Sequence, residues 1–573
     1  MLRLGNSRRR ITIGFVALAT LVLVLGGRLV QLQGLDGTHY ATVASNDRTY
    51  TKPLQSQRGK IVDDDANVLA YSVEAQALVA DPKQIKAPVQ TAMALAPLLK
   101  QSAGDLEQLL VKPTGFVYLA HGLDPSAGQK ITDLGLPGIY TLPESKRLYP
   151  SGSIGANVVG FTNRDGVGLA GIELADDKAL TGVPGVLSYF QGAAGEIIPS
   201  GIHKDDPAVP GSTVKLTLDS DLQYYAQTAL DDAVRGTKAQ GGQLTLLDVK
   251  TGRVLAMAAT PTFNASNPGA TPNLLSNPNV SSVFEPGSAN KLITFAAAVQ
   301  KGLITPTTPF TVPGTIQVAD RTIHDDWVHS PVKWTATGIL AKSSNVGTLM
   351  IADKLGPQTW MDYAKAFGEG QRTGIGLPAE SAGLLPPMKS WSGSTFGNLP
   401  IGQGVAVTSL QLASMYQTIA NNGVRIPPRI IDSITAPNGD TTTPTAPGST
   451  RVVSAKTAAT VRDMLQMVTQ TGGTAPKAAI PGYTVGGKTG TGQKLNPACG
   501  CYSDTSYWST FAGMAPADSP RYVMSVMVDS PQTDYMGGDV AAPLFHQVMS
   551  YALKRGGVPP TGAKPAHLPI LAP

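Results

Sequence analysis

The chain has 573 residues, 42% of them hydrophobic and 15% charged. That is a globular balance, and the length calls for two or three domains. The net charge of +5 is small for this length, and the basic residues are scattered apart from Arg8, Arg9 and Arg10. This excludes the concentrated positive face of a nucleic-acid-binding protein.

The N-terminal stretch MLRLGNSRRR is basic and lacks acidic residues. An uncharged run follows from Ile11 to Gly27, and its apolar pattern continues past Arg28 through Leu29, Val30 and Leu32. Residues 11–33 are long enough to span a bilayer. A cleaved signal peptide would have a shorter apolar region and a small-x-small cleavage site, which the sequence lacks. Basic residues ahead of the span place residues 1–10 in the cytoplasm and everything after it outside. The expectation is a single-pass anchor in the cell membrane.

From Gly34 to Asp206 the chain alternates short apolar segments with Gly, Pro and Asp, as in KIVDDDANVLAYSV, ALVADPKQI and GFVYLAHGL. This predicts a mixed α+β module. Its run Asp63-Asp64-Asp65 forms no recognisable metal loop and reads as a solvated turn. A polar, Pro-containing boundary falls at 203–212. Next, VKLTL reads as a strand, and Asp219 or Ser220 caps a helix with Leu222, Tyr225, Ala226, Ala229, Leu230 and Ala233 at helical spacing. QLTLLDVKTGRVLAMAA reads as two strands around a Lys-Thr-Gly turn.

The segment EPGSANKLITFAAAVQKG places Ser288 at the start of an apolar helix, with Lys291 one turn later. An N-capping serine and an idle lysine would explain this. So would a nucleophile, since residues three apart share a helix face and a serine hydroxyl needs a base to take its proton. The segment is apolar nearly all round, so the helix is expected to be buried, which argues against an idle lysine. Further on, WTATGILAKSSNVGTLMIADKLG is helical on both sides of Ser343-Ser344-Asn345, where Ser343 and Asn345 could serve as helix caps. GYTVGGKTGTGQ places Lys488, Thr489, Gly490 and Thr491 on an edge strand. SYWSTFAGMAPADSPRYVMSVMVDS forms two strands, and DVAAPLFHQVMSYALKRGG a closing helix. Strands at both ends with helices between predict one antiparallel sheet built from both ends of the domain.

Cys499 and Cys501 are the only cysteines. Two ligands with no histidine nearby make no zinc site. A disulfide over one intervening residue would be strained, and two free thiols fit the sequence as well. His324, Asp325, Asp326 and His329 read as a polar loop, not a metal site.

Ser288-x-x-Lys291, Ser343-Ser344-Asn345 and Lys488-Thr489-Gly490-Thr491, in this order, resemble the motifs of penicillin-binding proteins and serine β-lactamases. The earlier Lys250-Thr251-Gly252 lies before the serine at a hairpin turn and is discarded. RGKIVDDDANVLAYS, KRLYPSGSIGANVVGFTNRDGVGLAGIE, PGSTVKLTLDSDLQ, EPGSANK, KSSNVG, GQGVAVTSLQLASMYQTIANNG and GGKTGTGQ extend the resemblance over nearly the whole chain after the anchor. They are similar to class B penicillin-binding proteins, nearest to the cell-division transpeptidases of actinobacteria. One departure is DDDAN at 63–67, where the family usually has Asp-Arg-Asn-Gly; from its distance in sequence it bears on the N-terminal module alone.

The resemblance implies an α+β penicillin-binding transpeptidase fold, an antiparallel sheet packed between helices. An elongated N-terminal pedestal domain and a single transmembrane helix precede it. The implied boundaries are a pedestal over 34–206, used for dimerisation or partner binding, a transpeptidase domain over 207–560 and a tail over 561–573. It implies that Ser288 attacks the carbonyl between two terminal D-alanines of a peptidoglycan stem peptide, with Lys291 as base. Ser343 and Lys488 would return the proton to the leaving D-alanine, and Asn345 would hold the substrate amide. Backbone N–H groups of Ser288 and Thr491 would form the oxyanion hole, and Lys488, Thr489 and Thr491 would bind the terminal carboxylate. An amine from a neighbouring stem would complete the cross-link, and β-lactams would trap Ser288. No cofactor or metal is required. The implied partners are a membrane glycosyltransferase of the SEDS (shape, elongation, division, sporulation) family and other divisome membrane proteins, with no nucleic acid. The rivals are an elongation-specific relative, a D,D-carboxypeptidase, a β-lactamase, a bifunctional enzyme with a glycosyltransferase domain, and a non-enzymatic scaffold or β-lactam sensor. The chain is too long for a typical β-lactamase. The intact motifs disfavour a silent scaffold, and about ten cytoplasmic residues are too few for a sensor.

Overall fold

The structure is a computed structural model that describes residues 7–573 except 193–195, 446–447 and 497–498. Its contacts divide the chain into two compact units, Met1–Gln57 with Gly182–Pro210, and Arg58–Thr181 with Gly211–Pro573.

In the first unit a helix, Ser7–Val30, runs on through a π turn, Gln31–Leu35. Together they are long and apolar enough to cross a membrane, and none of that stretch is buried against protein. A second helix, Gly37–Arg48, leads into an antiparallel sheet of Thr49–Leu54, Gly185–Gln191 and Ile197–Asp206.

The N-terminal part of the second unit is built on the long strand Val68–Ala80, which pairs with both Ile139–Leu148 and Val117–Leu123. Leu78, Leu95, Leu106 and Ile131 close a small core there. The segments RGK and GIE of the sequence meet in a buried ion cluster. Glu173 accepts from Arg58 Nε at 2.6 Å and Arg147 Nε at 2.8 Å, and Arg58 also reaches Asp177 at 2.7 Å. A fully buried carboxylate is tolerable only when charges and hydrogen bonds surround it.

The acidic run at 63–65 is a solvated turn only in part: Asp64 and Asp65 form a turn with Asp65 exposed, but the first aspartate does not face water. Asp63 is fully buried. It accepts from Asn67 N at 2.7 Å, Asn67 Nδ2 at 2.9 Å and Ser220 N at 3.3 Å. Asp64 pairs with Arg253, and Asp65 with Arg555 at 2.7 Å. The departure at DDDAN therefore also bears on the C-terminal part, whose basic residues it holds.

The C-terminal part is organised by five strands: β1 (Gly241–Asp248), β2 (Val254–Thr260), β3 (Gly486–Asn496), β4 (Cys501–Ala515) and β5 (Tyr522–Asp529). Their order is β2-β1-β5-β4-β3, antiparallel throughout, so both ends of this region build one sheet and β3 is its edge. The helices that matter for the site are α1 (Ser220–Thr237), α2 (Lys291–Gln300), α3 (Ala336–Lys342), α4 (Asn345–Leu355), α5 (Ser409–Ala420), α6 (Ala455–Thr469) and α7 (Gly537–Arg555). Asp219 caps α1 by accepting from Asp221 N and Leu222 N. Helices α1 and α7 pack on one side of the sheet, and α5 and α6 on the other, with α2 against α4 and α6. Phe511 of β4 meets Phe545 of α7 edge to face at 4.7 Å. Helix α2 is buried almost completely, from Lys291 to Ala298. Burial of this continuous apolar surface, at about 25 cal/mol per Å², is what holds the site's lysines away from water.

The last residues are ordered against this body. Ala566 N donates to Gln466 Oε1 at 3.0 Å. Thr335 N donates to the Ile570 carbonyl at 3.0 Å, and Ala572 N to the Lys333 carbonyl at 3.1 Å.

Candidate active site

Gly287–Asn290 forms a 3-10 turn, and the regular helix α2 begins only at Lys291. Ser288 therefore lies in the tight turn ahead of the helix. Its hydroxyl caps no backbone group, so the capping explanation fails for this serine. The turn is gripped from two sides by backbone that only glycine permits. A Cβ at Gly402 would strike the Gly287 carbonyl, and one at Gly490 would strike the Pro286 carbonyl and Thr510 Oγ1. The GQG and KTGTG stretches thus bring the loop after residue 400 and the edge strand β3 onto the serine turn.

Lys291 is fully buried. Its Nζ donates to the Ser343 carbonyl at 2.6 Å and to Asn345 Oδ1 at 2.7 Å, and lies 3.4 Å from Ser343 Oγ. Burial lowers its pKa to about 8, against the raising influence of Asp326 and Asp325. A neutral amine has two N–H donors and one lone pair. The carbonyl of Ser343 and the amide oxygen of Asn345 accept the two donors, which leaves the lone pair for a hydroxyl proton.

Ser343 occupies the left-handed region at φ 62°, between α3 and α4. That conformation is uncommon for a residue with a side chain, and such strain concentrates at functional sites. It turns the Ser343 carbonyl toward Lys291 while its hydroxyl accepts from Lys488 Nζ at 2.8 Å. Ser344 is the N-cap of α4, its Oγ accepting from Gly347 N at 2.9 Å, and Ser343 is the C-cap of α3 through its backbone N–H, as the capping reading expected, whereas Asn345 caps neither helix.

Lys488 is also fully buried, and its pKa is pushed well below the ordinary value by burial and then by the neighbouring Lys291. It donates to Thr489 Oγ1 at 3.2 Å. Thr489 Oγ1 lies 2.9 Å from Thr474 Oγ1, and Thr491 Oγ1 accepts from Gly537 N at 3.3 Å. All eight residues singled out from the sequence are thus on the three elements that converge here: the 287–291 turn, the α3–α4 corner and β3. The Lys250-Thr251-Gly252 copy is a hairpin turn fastened by the Asp248 carboxylate, which accepts from Thr251 N and Thr251 Oγ1.

Two features escaped sequence reasoning, and one alternative it left open is decided. Glu285 Oε1 accepts from Gly404 N at 2.9 Å and Tyr502 OH at 3.0 Å, tying the segment before Ser288 to the β3–β4 hairpin. Cys499 and Cys501 are joined in a disulfide in that hairpin. The loop containing His324, Asp325 and Asp326 holds the α3–α4 corner: Asp325 Oδ2 accepts from Ser344 Oγ at 2.7 Å, and Asn345 Nδ2 donates to the His324 carbonyl at 3.2 Å. Among the described residues no group of three or more His, Cys, Asp or Glu side chains is placed to hold a metal ion. The polar reading of this loop stands, but Asp325 is buried. The signal for its role was the pair of adjacent aspartates some twenty residues before a Ser-Ser-Asn corner.

A buried lysine of lowered pKa, a serine on the tight turn that precedes it and a second buried lysine bridged to it by the Ser343 hydroxyl are the parts of a serine acyl-transfer site. Comparison with known proteins points the same way. The penicillin-binding protein transpeptidase domain matches residues 242–550, and the penicillin-binding protein dimerisation domain matches residues 53–216. The chain is 43% identical to penicillin-binding protein PbpB of Mycobacterium tuberculosis, over 95% of this chain and 85% of that protein. It is 35% identical to the peptidoglycan D,D-transpeptidase FtsI of Escherichia coli, over 96% and 91%. Among solved structures, penicillin-binding protein 3 of M. tuberculosis complexed with aztreonam matches with a TM-score of 0.73 and 41% identity, over 90% of this chain and all of that one. On the strength of this site, fold and likeness, the chain belongs to the class B penicillin-binding proteins.

Proposed function

We propose that the protein is a peptidoglycan D,D-transpeptidase that cross-links stem peptides during septal wall synthesis and is acylated by penicillin at Ser288. The reading is supported above all by Lys291, a fully buried amine one turn after Ser288, whose Nζ donates to the Ser343 carbonyl and Asn345 Oδ1 and lies 3.4 Å from Ser343 Oγ. Ser288 Oγ bonds to the penultimate D-alanine carbonyl carbon as its proton passes to Lys291. Backbone N–H groups of Ser288 and Thr491 hold the oxyanion. Asn345 holds the substrate amide, and Lys488, Thr489 and Thr491 hold the terminal carboxylate. The C–N bond breaks, and the departing D-alanine amine takes the proton held by Lys291 through the Ser343 hydroxyl, which Lys488 orients, so that Lys291 is neutral again. An acceptor amine then attacks the ester carbonyl. Its proton goes to Lys291, and Ser288 leaves with a proton restored.

The same reading assigns residues 1–10 to the cytoplasm, 11–33 to the membrane span, 34–206 to a pedestal for partner contacts, 207–560 to the transpeptidase and 561–573 to a tail. Its polymerising partner is a SEDS-family membrane glycosyltransferase within the divisome.

The test is acylation of the full-length protein in detergent by a fluorescent penicillin, with intact-mass analysis and Ser288→Ala as control. A long-lived adduct on Ser288, absent from the variant, is expected, as is transfer of a D-Ala-D-Ala donor to an added amine. No adduct on folded protein overturns the reading. Hydrolysis with no amine transfer moves it to a carboxypeptidase, and labelling along the lateral wall in place of the septum moves it to elongation.

A further inference from the structure

His329 has an environment that the chemistry above does not use. Its side chain is 8% exposed, and that of Asp325 is fully buried. Its Nδ1 lies 2.8 Å from the Ser330 carbonyl, and its Nε2 lies 3.0 Å from Asp325 Oδ2. Both partners only accept hydrogen bonds. A neutral imidazole has one N–H and one lone pair, so it would set a lone pair against an oxygen. Both contacts are satisfied only when both nitrogens carry protons. The ring also lies beside two indoles, Trp327 at 5.7 Å and Trp334 at 5.3 Å, tilted against both, an aromatic surrounding that favours a cation.

The carboxylate opposite this cation is the anchor of the α3–α4 corner. Asp325 Oδ2 also accepts from Ser344 Oγ at 2.7 Å, and Oδ1 accepts from Val346 N at 3.0 Å. The adjoining residues complete the grip, with Asn345 Nδ2 donating to the His324 carbonyl at 3.2 Å and lying 3.4 Å from Asp326 Oδ1. Those two bonds orient the amide so that its oxygen faces Lys291 Nζ. Three successive loop residues thus hold three successive corner residues.

We propose that Asp325 and a doubly protonated His329 are positioning residues, a clamp that fixes Ser343 and Asn345 as the two acceptors of Lys291. The inference rests on the proposed role of Lys291 and adds a second ionisable control to it. The other titratable groups around His329 are His324 and Asp326 on its own loop, the exposed Lys333 on the strand carrying Trp334, and, beyond Asn345, Lys291 and Lys488. Asp325 and the Ser330 carbonyl raise the pKa of His329, with burial opposing them. A raised histidine keeps its second proton below that value and loses it as the pH rises through it. Acylation therefore carries a falling limb set by His329, on the alkaline side of its own midpoint, besides the rising limb set by Lys291.

The test uses full-length protein in detergent, 13C-labelled at histidine Cε1, with His329 assigned by its absence in His329→Gln. The expected His329 midpoint lies above the ordinary value of about 6.5, and it falls in Asp325→Asn. Penicillin acylation of His329→Gln, which offers Asp325 an uncharged donor, is expected to be five- to twentyfold slower at neutral pH and to lack the falling limb. A His329 midpoint at or below the ordinary value overturns the clamp. So does a His329→Gln protein that acylates within twofold of wild type with the same pH profile. Should His329→Gln fail to fold, the wild-type signal that vanishes in His329→Asn identifies the residue and the titration decides. Absence of any Ser288 adduct would instead refute the proposed function, and the titration distinguishes the two failures.

Discussion

Glu369 provides a demanding check on the electrostatics of this site. It is 1% exposed, neither carboxyl oxygen accepts a hydrogen bond, and the facing Asn290 Oδ1 has no donor. Asn290 lies in the turn between Ser288 and Lys291. A protonated Glu369 gives Asn290 Oδ1 the donor it lacks and leaves one uncharged carbonyl oxygen, in place of a buried carboxylate, without a partner. Burial raises its pKa from 4.5 to about 8. A carboxyl raised in the folded state stabilises fully below the unfolded pKa and loses that contribution as the pH climbs through the folded one. Across that interval the slope is about 1.4 kcal/mol per pH unit, or roughly 5 kcal/mol in all. Between pH 5.5 and 7.5 the share is about 3 kcal/mol, worth roughly 3–8 °C in Tm for a domain of this size. Glu369→Gln keeps the volume and supplies an N–H donor at every pH. The Tm of the variant minus that of wild type, measured on full-length protein in detergent at one scan rate, should therefore rise by that amount from pH 5.5 to 7.5. Taking the difference cancels every other titrating group. Parallel Tm curves over this range would refute both the protonated carboxyl and the hydrogen bond it is argued to make.

Three further outcomes are expected. In the His329→Gln background, acylation by a penicillin with no titrating side chain should rise about tenfold per pH unit and level off near the Lys291 value of about 8; a rise continuing to pH 10 would mean that burial does not lower this lysine. Asp63→Ala removes the acceptor of three donors and should cost about 2–4 kcal/mol in denaturant titration of the full-length chain, whereas a loss under 0.5 kcal/mol would restore the solvated turn. Truncation after Lys564 removes the acceptor of Thr335 N and the donors on Ala566 and Ala572. At about 1 kcal/mol each, Tm should fall by several degrees and acylation should slow, because Thr335 caps α3, which ends at Ser343; unchanged values would make the tail an ornament.

The three motifs were legible because each is written within four residues and lies on an element whose periodicity is also local. Hydrophobic spacing located β1 to β5, and the antiparallel sheet with its edge at β3 followed from strands at both ends of the region. Distances across the chain were not legible. Lys291 meets Ser343 fifty-two positions later, and Ser343 meets Lys488 after another 145. Asp63 was misread for the same reason. A run of aspartates in isolation is cheapest in water, and only the fold reveals that Ser220, Arg253 and Arg555 arrive to replace that water. The resemblance supplied the convergence that spacing alone could not.

The α3–α4 corner shows why bland local readings fall short at such a site. A helix cap needs one side-chain acceptor, and Ser344 provides it. Ser343 is then free to take the left-handed conformation, which costs on the order of 1 kcal/mol for a residue with a side chain. In return its carbonyl and hydroxyl meet two different lysines. Two buried amines this close cannot both stay charged without penalty, and the repulsion adds to burial in lowering Lys488. Asp325 and Asp326 oppose that lowering at Lys291. The value of about 8 is therefore a balance between a dry helix and an acidic loop. The same loop that sets the charge also sets the geometry, through Ser344 and Asn345. A change in the loop must then move rate and pH profile together, whereas a change in the helix core moves stability first.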